Sequence, residues 1–441
     1  MNDEASKAKR KRWQWALAAL LVACCALTLF VTTMTSFSVK ALFTGNATIS
    51  PTKNRLDGSR VIAMPAGAGG QSHPRGAGSS GDSDKKWPQS HLIDVCGHGV
   101  QRFEGSLDDG EAFFEFANKF TTDPYPTLNK AAAQLVASAD DSERAVGLYM
   151  LAFSAGSEQQ SALTKENPDC HSTNACSEKY DEIARNAAAG HLAALAKIAS
   201  TTNNPDTYAT AYYGCRGRKD AACAAVTAAR WSQLDPENAV AWIEVAAEAS
   251  KQKNELASHA AMVKASQRKQ YNKRVPALDM LLGTVDLSAL SLLEQSTFLT
   301  QLQALNFVFP SYINASQYCN PALTSAPERI AACANIATLV ANQDQSLLGQ
   351  LIALSIGEKA GWDAANVKAK KDEMRAYLYL PASDINPNDT LSCENAQRRI
   401  SNAIDTFKLG ELEAAKKRMR ANGLTTTTMV EQYRAQSSDK K

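Results

Sequence analysis

The chain has 441 residues, of which 44% are hydrophobic and only 7% aromatic, and its formal net charge is +2. This length accommodates one large domain or two. Much of the hydrophobic share is alanine, which favours closely packed helices over sheets, because strand-forming residues are mainly β-branched and aromatic. The small net charge argues against a strongly basic nucleic-acid binder, and we expect no nucleic-acid partner.

Residues 1–12 form a basic tail, and residues 13–39 contain no charged side chain. About 20 such apolar residues cross a bilayer core, and a preceding basic cluster is typical of the cytoplasmic side. The sequence therefore predicts an uncleaved, single-pass signal anchor at residues 13–37. Two alternatives remain open, which are cleavage before Val39 and lipidation of Cys24 within a lipobox-like Leu-Val-Ala-Cys run.

A change of composition marks residues 38–90 as a linker. Glycine, serine and proline dominate this stretch. Such a chain buries too little apolar surface to offset the entropy lost on ordering, so we predict a flexible tether. The glycines are not followed by Gly-Lys-Ser/Thr, and they do not form a phosphate-binding loop.

The body, residues 91–435, is predicted to be all-α, with a disordered tail at residues 436–441. Apolar residues recur at three- and four-residue spacing along most of this length, and few strand patterns occur. Side chains suited to start helices stand at Asp220 and Ser392. Gly190 is predicted to end one helix, and His191 to begin the next.

The clearest helix pattern lies at residues 205–266. Its part W-S-Q-L-D-P-E-N-A-V-A-W-I-E-V-A-A-E-A from Trp231 resembles the junction between two tetratricopeptide repeats. In this interpretation Pro236 stops a helix and Asn238 caps the next. Trp242 is predicted to lie on the buried face of that helix with Val245, Ala246 and Ala249, and the second helix of the unit contains Leu256, Met262 and Ala265. In the preceding unit, Tyr208 and Ala211 lie on the first helix, and Ala224, Ala228 and Trp231 lie on the second.

The resemblance covers about two units, and Gln270 stands where the family has a proline. It implies a helix-hairpin repeat, an irregular α-solenoid with a concave groove that binds a protein or peptide. The candidates for the groove side are Tyr213, Arg216, Ile243 and Lys251.

Eight cysteines follow the predicted anchor, an even number that indicates disulfides if the body is translocated. The strongest local pair is Cys215 with Cys223, whose spacing across a turn is also similar to that of Sel1-like repeats. Loop spacing also favours Cys170 with Cys176 and Cys319 with Cys333, which leaves Cys96 with Cys393. Other connectivities remain open. Neither Cys96-Gly97-His98 nor Cys170-His171 has a second ligand pair at zinc-site spacing, so we expect no metal.

No catalytic, cofactor or metal motif was found, and none is predicted. The sequence contains no H-E-x-x-H, G-x-S-x-G or P-loop pattern. Of the scattered histidines, His98 is the least ordinary because glycines flank it.

We predict a protein of a bacterial inner membrane, with its N-terminus in the cytoplasm and its body in the periplasm. The first functional hypothesis is a non-catalytic interaction module, the second an enzyme acting on envelope polymers, and the third a structural spacer.

Overall fold

The computed structural model describes residues 90–105, 107, 110–121, 123–166, 174–218, 220–274, 279–305, 310–320, 326–383 and 390–438. The predicted basic tail, membrane anchor and nearly all of the linker lie outside these residues. The described part of the chain is mostly helical, which agrees with the predicted all-α class. It begins, however, with a β-hairpin that the helical periodicity did not predict.

The described residues belong to two compact units. The first contains residues 90–93 and 100–117, and so most of the strands β1 (Ser90–Val95) and β2 (Gly99–Glu104), with helix α1 (Gly110–Ala117). The Phe103 ring packs against Phe113 and Phe116, with centroid distances of 5.6 and 5.2 Å. This aromatic cluster replaces the helical start that the sequence predicted.

The second unit contains residues 94–99 and everything described from Asn118 onward. Its helices, in chain order, are α2 Tyr125–Val136, α3 Asp141–Ser154, α4 Ser157–Glu166, α5 Asn174–Thr201, α6 Pro205–Cys215, α7 Ala228–Leu234, α8 Ala239–Lys251, α9 Glu255–Ser266 and α10 Asp279–Thr284. They continue as α11 Leu292–Leu305, α12 Tyr312–Tyr318, α13 Pro327–Gln343, α14 Leu347–Lys359, α15 Ala364–Ser383, α16 Cys393–Leu409, α17 Glu411–Ala421 and α18 Thr426–Ser438. Short 3₁₀ turns lie at Ala221–Ala225 and Leu287–Ala289.

Local side chains explain several helix starts. The predicted caps Asn238 and Ser392 accept hydrogen bonds from the backbone N–H groups of Val240 and Asn395. These bonds satisfy donors that have no partner inside the helix, which is why Asn and Ser are favoured at this position. Asp220 also caps as predicted, but the element it begins is a 3₁₀ turn.

The helices pack around two clusters of buried side chains, a large one and a smaller one near the C-terminal helices. Helices α3, α5 and α6 contact one another, α2 packs on α3, and α8 pairs with α9. Further contacts join α13 with α14, α11 with α16, and α15 with α18. The fully buried side chains at the centre include Trp231, Tyr208, Leu128, Leu192 and Phe298. Burial of such large side chains is the main stabilising contribution.

Helix α5 is continuous through Gly190, so the predicted break before His191 was wrong. A glycine inside a helix lowers its stability, but it does not end the helix when the helical residues before and after it pack against other helices. Helix α18 extends to Ser438, within the range 436–441 that was predicted to be disordered, and residues 439–441 lie outside the described residues.

Two glycine substitutions should have opposite effects on stability. A Cβ atom at Gly147 of α3 would lie 2.5 Å from the backbone oxygen of Ala132, whereas one at Gly190 would meet nothing within 4 Å. We expect Gly147→Ala to lower the free energy of unfolding by about 1–3 kcal/mol. Gly190→Ala, its control, should raise it by up to about 1 kcal/mol. Urea-induced unfolding of both variants measures this, and the same sign for both would contradict the packing of α2 on α3.

The α8–α9 hairpin agrees with the repeat interpretation in its bounds but not in all its buried positions. On the second helix, Met262 and Ala265 are buried, whereas Leu256 is 84% exposed. Trp242 is only half-buried, and Ala224 is exposed. The periodicity located the helices correctly but misjudged how far neighbouring helices cover each face.

The segment after α9 also departs from a tetratricopeptide repeat. Gln270, at the position of the missing proline, pairs with the α7–α8 turn. The Ala239 N–H donates to the Gln270 carbonyl at 2.8 Å, and the Gln270 N–H donates to the Glu237 carbonyl at 3.3 Å. A proline there would lack the second donor. The chain therefore folds back along the turn as an extended segment, which we call the strap (residues 267–274).

Three disulfides join the pairs that the sequence predicted. They are Cys96–Cys393, Cys215–Cys223 and Cys319–Cys333, with sequence separations of 297, 8 and 14. Cys170, the predicted partner of Cys176, lies outside the described residues. The longest bridge attaches the turn between β1 and β2 to the start of α16.

Candidate functional site

Glu244 on α8 is a completely buried carboxylate. One carboxylate oxygen, Oε1, accepts hydrogen bonds from Arg216 Nη1 at 3.0 Å and from the Ser311 backbone N–H at 2.7 Å. The other, Oε2, accepts them from the Tyr212 hydroxyl at 3.0 Å and the Ser311 hydroxyl at 2.7 Å. Burial of an unpaired carboxylate is very costly, and these four donors offset the lost hydration. Glu244 therefore joins α6, α8 and the start of α12.

Asp344, directly after α13, forms a second buried centre. Its Oδ1 lies 3.0 Å from Lys273 Nζ and accepts hydrogen bonds from the backbone N–H and hydroxyl of Ser346 at 2.9 and 2.8 Å. The Tyr312 hydroxyl donates to Oδ2. Burial and the negative charge of Asp344 both raise the pKa of Tyr312, so this hydroxyl stays a donor at ordinary pH.

The two carboxylate centres are connected through neighbouring residues. Ser311, which contacts Glu244, precedes Tyr312, which contacts Asp344. On the other side, the Tyr213 hydroxyl donates to the Lys273 carbonyl at 2.7 Å. We call this set the buried carboxylate network, and it comprises Glu244, Tyr212, Arg216, Ser311, Tyr213, Lys273, Tyr312, Asp344 and Ser346.

An aromatic cluster packs beside the network. The rings of Tyr212 and Tyr213 lie 5.3 and 5.5 Å from the ring of Trp231, which is completely buried. Burial, followed by the charge of Glu244, raises the pKa of Tyr212. The apolar surroundings lower the local dielectric, which strengthens each hydrogen bond to Glu244 and raises the cost of breaking one.

The strap is held by a separate polar cluster at the α7–α8 turn. The Asn238 side chain donates to Asp235 Oδ2 and to the Asn272 carbonyl, at 2.8 and 2.7 Å. Arg274 forms ion pairs with Asp235 and Asp206, at 2.8 and 2.7 Å. Asn238 thus caps a helix, as predicted, and also positions the strap, which its local sequence did not indicate.

Neither carboxylate centre is arranged for acid–base chemistry. Both oxygens of Glu244 and of Asp344 already accept hydrogen bonds from protein groups, and both side chains are almost completely buried. A general acid or base must reach the proton that it transfers in a bound substrate. In this structure these carboxylates contact protein donors that join helices, and their role is structural.

Glu411, the first residue of α17, has an unusual titration. It accepts a hydrogen bond from the Leu347 N–H at 2.9 Å. Burial raises its pKa, although this bond and the charge of Lys273 oppose the shift, and Asp344 adds to it. The unfolded chain loses the proton near the ordinary value of 4.5, whereas the folded chain keeps it to higher pH. The protonated Glu411 carboxyl therefore contributes fully to the free energy of unfolding below pH 4.5, and this contribution is lost as the pH rises through the pKa of the folded state.

We expect Glu411→Gln to remove this loss. Between a pH below 4.5 and a pH of about 7, the free energy of unfolding of the variant should increase relative to that of the wild type. Glu413→Gln is the control, because its hydrogen bond to Lys416 lowers the pKa of Glu413 and gives the opposite sign. Urea midpoints measured across this pH range test both, and parallel curves for the two variants would contradict the assignment.

The predicted groove residues do not lie together on one exposed surface. Ile243 is 1% and Tyr213 8% exposed, so both belong to the core. Arg216 has a side chain that is 27% exposed, and it is paired with Glu244. Lys251 is exposed near the end of α8. The groove prediction is therefore corrected, because the α8 face that carries Ile243 is covered by other helices, and α12 packs on α8.

Two of the described histidines, His98 and His259, have surroundings that bear on function. Gly97 and Gly99, which flank His98, adopt positive φ angles of 80° and 70° in the turn between the strands, so the turn accounts for them. His259 Nδ1 lies 2.7 Å from the Tyr318 hydroxyl, and its Nε2 lies 3.9 Å from Glu328. Sequence spacing did not indicate this cluster, because its members come from three helices.

The described residues form no metal site. Among the described residues, no group of three His, Cys, Asp or Glu side chains is placed to hold a metal ion. A shallow hollow of about 510 Å³ lies on α5 and is lined by Glu178, Lys179, Asp181, Glu182 and Arg185. All five come from one helix, so the hollow is part of the outer surface of α5.

The comparisons with known proteins gave no relative. No protein-family model, no curated protein and no solved structure matches the chain. Within the described ranges, none of the helices combines the length and the apolar character that crossing a bilayer requires. The predicted anchor at residues 13–37 is not among those ranges.

Proposed function

We propose that this chain is a membrane-anchored helical scaffold of the bacterial cell envelope that binds a protein or peptide partner. The buried carboxylate network carries the proposal. It joins α6, α8, α12 and the strap through Glu244 and Asp344, so the polar side chains of the interior hold helices and leave the outer helix faces for contacts. Rigid helix hairpins with free outer faces are typical of binding scaffolds.

The proposed location is an inner membrane, with the N-terminus in the cytoplasm and the body in the periplasm. Two observations support it, which are the uncharged residues 13–39 after a basic tail and the three disulfides of the body. Disulfides persist in oxidising compartments and are rare in the cytosol. Protease digestion of spheroplasts tests this, because only a periplasmic body is cleaved before the inner membrane is opened.

The binding function is tested by isolation of the full chain from membranes. We expect a partner protein to copurify in mild detergent, in an amount comparable to the chain itself, after reversible cross-linking. The control is the same tag on the anchor without residues 91–441. Isolation of the chain without any partner that the control lacks would reject both the binding module and the structural spacer.

The enzyme alternative receives less support from the interior. Hydrolysis of a glycan requires two carboxyl groups on opposite sides of the substrate bond, roughly 5–10 Å apart and open to the substrate. Glu244 and Asp344, the two least exposed of the buried carboxylates among the described residues, are instead saturated with protein hydrogen bonds. Hydrolysis of purified envelope polymer by the full chain would revive this alternative.

A further inference from the structure

Basic residues are concentrated in and beside α9. Residues 251–274 contain seven Lys and Arg but a single Glu, a charge of +6 in a chain whose net charge is +2. Residues 101–200, by contrast, contain fifteen acidic and eight basic residues. The positive charge of the body is therefore localised, which gives α9 and the strap a local field that the net charge conceals.

Part of this positive charge is neutralised internally. Lys273 pairs with Asp344, Arg274 with Asp235 and Asp206, and Arg268 with Glu237 at 3.2 Å. Within the described part of the chain, no carboxylate lies at ion-pair distance from the other four lysines of this range, which are Lys251, Lys253, Lys264 and Lys269. These lysines are exposed. They are available to a partner of opposite charge.

Trp242 positions one of these lysines. The Lys264 ammonium lies 4.5 Å from the centre of the indole ring, and the Arg268 guanidinium lies 6.0 Å from it. The indole N–H donates to the Pro236 carbonyl at 2.9 Å, which fixes the ring. Such cation–π contacts restrict a long side chain without neutralising it. The ammonium is therefore partly pre-organised, which lowers the entropy cost of binding.

Helix α9, which carries Lys264, also has an exposed apolar stripe. Leu256 and Ala260 precede Lys264 at four-residue intervals, so the three share one face of α9. Leu256 is the most exposed large apolar side chain among the described residues, at 84%, and Ala260 is also exposed. Helix α9 packs on α8 and α13 with its other faces. The stripe therefore has an apolar end at Leu256 and a cationic end at Lys264 and Trp242.

We propose that this part of the surface is the docking site for an acidic amphipathic helix of a partner protein. It consists of the stripe on α9 and the adjoining side chains, which are Leu256, Ala260, Lys264, Arg268 and Trp242. This rests on the proposed binding function and specifies its site. Apolar side chains of the partner pack on Leu256 and Ala260, and its carboxylates meet Lys264. An anionic membrane would match the charge, but one exposed leucine offers too little apolar area for stable insertion.

Site-specific cross-linking tests the proposal with the full chain in its own membrane. The photoreactive residue p-benzoylphenylalanine replaces Ala260, or as a control Ala369, which is exposed on α15. Mass spectrometry of the captured peptide identifies the contacting segment. We expect capture at Ala260 of a segment rich in Asp, Glu and leucine-like residues, and much less capture at Ala369.

Charge reversal provides the second measurement. We expect Lys264→Glu to reduce capture at position 260 by about tenfold, because it places a carboxylate opposite the acidic partner. The matched control is Lys370→Glu on α15, also an exposed lysine, which should leave capture unchanged. Both variants should unfold at the same temperature as the wild type, since neither side chain is buried.

Four results would overturn the inference. They are capture of lipid, capture of a second copy of this chain, capture of a segment without excess acidic residues, and a Lys264→Glu effect no larger than that of Lys370→Glu. A partner that copurifies with the full chain but is captured only at Ala369 would overturn the docking surface and leave the binding function in place. Absence of any copurifying partner would reject both.

Discussion

Replacement of Glu244 by alanine should lower the free energy of unfolding by about 3–5 kcal/mol. The substitution removes a buried carboxylate and leaves Arg216, the Tyr212 hydroxyl and the Ser311 N–H without this acceptor in the interior. Each buried donor that loses its partner costs about 1–3 kcal/mol. Urea-induced unfolding followed by circular dichroism measures the change.

Two controls separate burial from the loss of a charge alone. Glu178→Ala, at an exposed position on α5, should change the stability by no more than about 0.5 kcal/mol. Glu244→Gln keeps one acceptor oxygen and the shape of the side chain. Its loss in the free energy of unfolding should therefore lie between the losses of the Glu178→Ala and Glu244→Ala variants. A loss below about 1 kcal/mol for Glu244→Ala would show that water or other groups replace the carboxylate, and would contradict its role in joining the helices.

Removal of the Cys96–Cys393 bridge should cause the second large loss, up to about 5 kcal/mol. The two cysteines are 297 residues apart, so the bridge restricts the unfolded chain far more than a local one does. The Cys96 N–H also donates to the Leu391 carbonyl at 2.9 Å. We therefore expect this hydrogen bond to be lost together with the disulfide. The double variant Cys96→Ser, Cys393→Ser, unfolded in urea under oxidising conditions, gives the value.

The bridge at Cys215–Cys223 is the matched control. It closes a loop with a sequence separation of only 8, and its removal should cost about 2–3 kcal/mol. Loop-closure entropy therefore predicts an order, with the long bridge contributing more than the short one. Equal losses, or the reverse order, would mean that the folded-state contacts of each bridge outweigh the restriction of the unfolded chain.

Features with short-range causes were predicted well. Asn238 and Ser392 cap helices because a side chain there reaches a backbone N–H two or three residues ahead. The pairing of Cys215 with Cys223 follows from a turn that returns the chain to the same place. Each of these depends on fewer than about ten neighbouring residues, a distance over which sequence pattern and geometry are closely coupled.

Features that depend on how far neighbouring helices cover a surface were not predicted. Ile243 and Leu256 both carry apolar side chains on the same hairpin, yet one is in the core and the other is exposed. Gly190 lies inside a long helix, although glycine is a residue type that often ends helices. Periodicity gives the phase of a helix, but the coverage of each face depends on helices from distant parts of the chain.

The sequence by itself predicted a mostly helical body, the starts of several helices, and three favoured cysteine pairs among connectivities that it left open. Only the tertiary structure decided that Glu244 is the centre of a buried network, because its partners Tyr212 and Ser311 are 32 and 67 residues away. It also decided which face of α9 remains open, since that depends on the packing of α8 and α13. Local hydrogen bonds and turns act within a few residues, whereas burial and ion pairing depend on contacts that exist only once the chain has folded.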